Sequence, residues 1–167
     1  ELLDQCREGM GQSEEALKLC RSLAEAAPWT VGWQTEYARR LGQTGDYDGA
    51  LAWLRQQLDR PIQRREYEEE TLRSTMADLY RTQGRWNDLL TFTTEWIARQ
   101  PQSQSYNSAY AQHLSALVFN DRPDQANALA QQWMNDALIE RKLKGDQYAR
   151  LDNALNFALG TAFNLAF

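Results

Sequence analysis

Gly45-Asp46-Tyr47-Asp48-Gly49-Ala50-Leu51 reads as a tight turn running into the start of a helix, and the chain carries the same phrase at two other places. The earlier copy is Gly11-Gln12-Ser13-Glu14-Glu15-Ala16-Leu17 and the later one is Gly84-Arg85-Trp86-Asn87-Asp88-Leu89-Leu90. The glycines stand 34 and 39 residues apart, and a proline, Pro28, Pro61 or Pro101, follows each after 16 or 17 residues. Both ends of a helix are thereby marked, because glycine accepts the left-handed backbone of a turn and proline cannot continue a helix. A period in the mid-thirties is the signature of stacked helical hairpins, in which no hairpin buries its apolar face alone.

Working outward, Trp33, Tyr37, Ala38 and Leu41 form a one-sided stripe before Gly45. Asp46 sits where an N-cap belongs, and Ala50, Leu51, Leu54 and Leu58 form the next stripe up to Pro61. The small Ala38 and Ala50 mark the closest approach of the two helices, with Tyr37, Leu41, Tyr47 and Trp53 filling around them. The third hairpin repeats this with Leu72, Met76, Ala77 and Tyr80, then Trp86, Leu89, Leu90, Trp96 and Ile97. Five extra residues fall around Gln63-Arg64-Arg65-Glu66-Tyr67, as a lengthened helix or a longer loop. Glu66, Glu68, Glu69 and Glu70 suit a helix N-terminus, whose dipole favours negative charge.

The fourth hairpin is degenerate. Tyr106, Tyr110, Ala111, Leu114, Leu117 and Val118 make its first helix, but Asn120-Asp121-Arg122-Pro123-Asp124 replaces the glycine turn before Ala126, Leu129, Ala130, Trp133, Met134 and Leu138. Tyr148, Leu151, Leu155, Leu159 and Phe163 predict a final helix over 146–167, and a short one precedes Gly11 over 2–9, giving nine in all. The chain therefore reads as all-α, one solenoid segment over 1–167 with repeats at 1–30, 31–69, 70–103 and 104–142. The final helix is apolar on most of its circumference, which suits a buried helix and points to self-association or packing on an earlier helix.

Composition narrows the function classes. Hydrophobic residues at 43% support a core, and a net charge of −5, from 18 Lys and Arg against 23 Asp and Glu, lacks the basic footprint of a nucleic-acid binder. The most apolar stretch, 154–167, is 14 residues long, short of the roughly 20 that span a bilayer, so no membrane span is expected. No basic segment followed by an apolar one opens the chain, and a start at Glu1 suggests an excised or processed fragment. Cys6 and Cys20 fall in the first hairpin without a CxxC pattern and read as buried thiols, with a disulfide across the hairpin and a metal or redox role as the lesser alternatives. His113 is the only histidine, which removes histidine-cluster metal sites and leaves it a structural reading. No GxxxxGK[ST], HExxH or GxSxG occurs, so no metal, no cofactor and no enzymatic activity are expected.

The small residue in the first helix (Ala38, Ala77, Ala111), the Gly-x-aromatic turns (Gly45/Tyr47, Gly84/Trp86), the following Ala-Leu (Ala16-Leu17, Ala50-Leu51) and the closing prolines together resemble the tetratricopeptide repeat (TPR) family. The resemblance covers roughly residues 1–140, with Tyr37-Ala38 and Met76-Ala77 in place of the family's Leu-Gly and Leu89 in place of its usual Ala. It implies a right-handed superhelix whose concave surface, lined by the first helix of each pair, binds an extended peptide or a partner helix. By position the lining would be Gln5 and Glu8, Thr35 and Arg39, Ser74, Asp78 and Arg81, then Ser108, Gln112 and Ser115. The lysine and asparagine clamp that grips chaperone C-termini is missing from that set. Trp29, in an inter-repeat turn after Pro28, is the tryptophan expected to stand exposed. The expected function is a protein–protein interaction scaffold; the alternative is a structural or regulatory arm of a larger enzyme or of an export or assembly protein whose activity lies elsewhere.

Overall fold

The computed structural model describes residues 13–99 and 106–144. All regular structure there is helical, in seven helices: α1 Ser13–Ala26, α2 Val31–Gln43, α3 Tyr47–Asp59, α4 Glu66–Thr82, α5 Trp86–Arg99, α6 Tyr106–Phe119 and α7 Pro123–Lys144. No strand occurs among the described residues. The expected helices over 2–9 and 146–167, and Cys6, lie outside them. The helices fall into two compact units that divide between Gln83 and Gly84, so α1–α4 form one and α5–α7 the other.

The turns explain why the helices stop where they do. At the end of α2, Gly45 takes φ 89° and its N–H donates to Gly42 O at 3.0 Å, while Asp46 N–H donates to Leu41 O at 2.9 Å. This pair of bonds is the Schellman exit, which satisfies carbonyls that a helix end leaves bare. At the end of α6 the same pair recurs: Asp121 N–H donates to Val118 O and Arg122 N–H to Leu117 O, both at 3.0 Å. Asp121 holds the left-handed position there with φ 58°, the conformation that Gly84 adopts at 64°. The degenerate fourth turn thus keeps the backbone geometry and changes only the residue, aspartate being one of the few side chains that tolerate it. Asp46 caps α3 as its sequence position suggests, with Oδ1 accepting from Gly49 N–H at 2.9 Å.

In the first unit α2 is central and packs on α1, α3 and α4, while α3 also meets α4. Ala38 and Ala50 are both fully buried, and Tyr37 meets Trp53 edge to face at 4.8 Å between ring centroids. Cys20 is a buried thiol on α1. The five extra residues lengthen mainly the helix, since α4 has 17 residues against 13 in α2. The remainder enters the connection over 60–65, which Arg64 anchors by donating from Nη1 to Gln57 O at 2.7 Å and from Nη2 to Pro28 O at 3.4 Å. Burial pushes the Arg64 guanidinium below its usual range, with Glu69 and Glu68 acting the other way.

Two buried glutamines interrupt the apolar packing. Gln34 donates from Nε2 to Ala24 O at 2.7 Å and Ala27 O at 3.2 Å, holding the end of α1 and the residue after it against α2. Gln57, equally buried, has neither amide atom hydrogen-bonded among the described residues.

In the second unit α6 packs on both α5 and α7. Leu114, Leu117, Ala126 and Trp133 form its core, with Tyr110 stacked on Trp133 at 5.4 Å. Trp86, the aromatic of the repeated turn, stacks on Phe119 at 4.1 Å with ring planes 12° apart.

Candidate partner-binding surface

The packing of α2 leaves a polar strip outward. Val31, Gln34, Thr35, Tyr37, Ala38, Leu41 and Gly42 are buried, whereas Gly32, Arg39 and Gln43 are exposed and Glu36 and Arg40 half-buried. On α4 the buried Leu72, Thr75, Met76, Ala77, Leu79 and Tyr80 leave Tyr67, Thr71, Asp78, Arg81 and Thr82 exposed and Ser74 half-buried. These spacings of three and four residues keep each strip on one side of its helix. The two helices meet closely at Gly42, where a Cβ would lie 2.9 Å from Leu79 Cδ2. An added Cβ at position 42 would require the Leu79 side chain to shift.

Of the residues expected to line a groove, Arg39, Ser74, Asp78 and Arg81 come to these neighbouring helices of the first unit. Thr35 does not join them: it is 2% exposed, and its hydroxyl lies 3.2 Å from Val31 O and 3.1 Å from Gly32 O. A threonine that bonds its own helix can be buried without another partner, so its polarity was no guide to its position. Ser108, Gln112 and Ser115 are half-buried on α6 in the second unit, where Ser115 Oγ donates to Ala111 O at 3.1 Å. Gln5 and Glu8 lie outside the described residues.

Charge on the α2 and α4 strips is mostly self-compensated. Glu36 pairs with Arg40 at 3.1 Å and Asp78 with Arg81 at 3.4 Å, each within its own helix. Arg39 makes no ion pair among the described residues. An exposed pair such as Asp78–Arg81 contributes no more than about 1 kcal/mol, and the two pairs together leave the face with few uncompensated charges. Glu36 and Arg40 were not singled out from the sequence, although their i, i+4 spacing is a recognisable helical pair.

Trp29 stands 65% exposed, and Tyr67, in the first turn of α4, 56%. The Arg65 guanidinium lies 6.0 Å from the centre of the Tyr67 ring. Elsewhere, His113 on α6 shares a 2.9 Å hydrogen bond between Nδ1 and Thr93 Oγ1 on α5, and burial holds its imidazole below the usual pKa. Among the described residues, no group of three His, Cys, Asp or Glu is placed to hold a metal ion, and no helix is long and apolar enough to cross a membrane. No family model, curated protein or solved structure matches the chain.

Proposed function

We propose that this chain is a TPR-like α-solenoid, a right-handed stack of helix pairs that works as a non-enzymatic scaffold for a peptide or partner helix. The observation that carries it is the direct packing of α2 on α4, two helices that open consecutive hairpins of the repeated pattern, with polar strips left outward on both. The equivalent exits at Gly45 and Asp121 support a repeated unit, since they end corresponding helices with the same backbone bonds. Peptide recognition suits such a face because short polar side chains and arginines can bond an extended main chain without deep pockets.

A double variant, Arg39→Ala with Arg81→Ala, tests the surface. Peptides selected on the wild-type chain from a displayed random library should bind it at least tenfold more weakly, with circular dichroism unchanged. Undiminished binding would show that this face is not the recognition surface.

A further inference from the structure

The same face carries charge and apolar surface at different ends, and this restricts what can lie on it. On α2 and α4 the half-buried pair Glu36–Arg40 and the exposed pair Asp78–Arg81 neutralise themselves, which leaves Arg39 without an ion pair among the described residues. At the other end, Trp29 precedes α2, Tyr67 opens α4, and Arg64 bonded to Pro28 O ties their two connections together. Gly32 adds open space there, since a Cβ built on it meets nothing within 4 Å. Tryptophan, tyrosine and arginine are the residue types that dominate interface energies.

We infer that the α2–α4 face receives an extended peptide segment bearing an aromatic or aliphatic residue and, three or four positions along, an aspartate or glutamate. This rests on the peptide-scaffold reading above and specifies its partner. The acidic residue meets Arg39. The Tyr67 end suits it less, because Arg64 and Arg65 are already engaged there, with main-chain carbonyls and with the Tyr67 ring, and Glu66, Glu68, Glu69 and Glu70 offset their charge. The apolar residue goes to that end, against Trp29 and Tyr67 and over Gly32. Gly32 and Arg39 lie seven residues apart on one helix, about 10 Å at ~1.5 Å per residue, and three residues of extended chain cover that distance at ~3.3 Å each. An anchor nearer Trp29 adds one residue to the spacing.

The test is to pan a phage-displayed random dodecapeptide library against the whole chain, against Arg39→Glu, and against Ser74→Arg, which places bulk in the middle of the face. Thr71→Arg, at an exposed position, replaces Ser74→Arg if that variant misfolds by circular dichroism. Wild-type selections should enrich an apolar residue followed three or four positions later by an acidic one. Selections on Arg39→Glu should exchange the acidic position for lysine or arginine. The best wild-type peptide, measured by fluorescence anisotropy, should bind at least tenfold more weakly to Arg39→Glu and to Trp29→Ala. Peptides blocked by Ser74→Arg but free of acidic bias and indifferent to Arg39→Glu would overturn the partner assignment and leave the scaffold reading standing. Peptides indifferent to Ser74→Arg, or no enrichment at all, would overturn the scaffold reading itself.

Discussion

Replacing Gln57 with methionine should stabilise the protein, whereas the same replacement of Gln34 should weaken it. Both side chains are fully buried, and methionine nearly matches glutamine in length and helix propensity, so packing and local preference change little. The difference lies in their hydrogen bonds. Neither Nε2 nor Oε1 of Gln57 has a partner among the described residues, and a buried polar group left unpaired costs about 1–3 kcal/mol. Removing it returns that amount, while the Gln57 carbonyl keeps its bond from Arg64. Gln34 donates to Ala24 O and Ala27 O, so Gln34→Met strands the Ala24 carbonyl, which faces Pro28 and no N–H, whereas Ala27 O keeps its bond from Thr30 N–H. Its unpaired Oε1 offsets part of that loss, leaving a destabilisation of about 1–2 kcal/mol. Urea unfolding followed by far-ultraviolet circular dichroism reads both changes as shifts in midpoint at constant slope. For a chain of this size each kcal/mol also moves Tm by roughly 2–4 °C. A loss of stability in Gln57→Met as large as that in Gln34→Met would refute the reasoning, because it would mean that the Gln57 amide is paired in solution.

Acidification should weaken the second unit through His113: its folded-state pKa is lowered by burial, so the folded protein binds fewer protons than the unfolded one. Stability is therefore fully present above the unfolded value near 6.5 and declines as pH falls through it, and His113→Gln should flatten that part of a urea-midpoint profile measured between about pH 8 and pH 5. Gly45→Ala should cost about 1 kcal/mol in thermal denaturation, because alanine must adopt φ 89°; Asp121→Gly should be neutral or gain up to about 1 kcal/mol, and a loss there greater than for Gly45→Ala would contradict the equivalence of the two exits. Trp29→Ser should leave stability within about 0.5 kcal/mol of wild type, whereas Trp96→Ala, at a ring 2% exposed, should cost about 3–5 kcal/mol by the same measurement.

The helices were legible because their boundaries are written in backbone chemistry. Glycine and proline punctuate the helices, and Ala38 and Ala50, both fully buried, lie on two helices that pack together. Stripes of apolar residues could not reveal Gln34 or Gln57, since periodicity counts polarity and both amides are inside. Thr35 was misplaced for a related reason, its hydroxyl being satisfied by its own helix. The fourth exit was hidden because aspartate reproduces there a conformation usually signalled by glycine. At the surface, Arg39, Asp78 and Arg81 follow from helical register, but which charges neutralise one another depends on side-chain rotamers that spacing does not specify.

Arg64 grips main-chain carbonyls, atoms that every residue type supplies. Sequence drift at positions 28 and 57 can therefore pass without loosening the clasp, and this tie between the two connections rests on one side chain. Under a pulling force that separates α1 from α4, that guanidinium becomes a shear pin: the two inter-helix connections move together until it lets go, and independently afterwards.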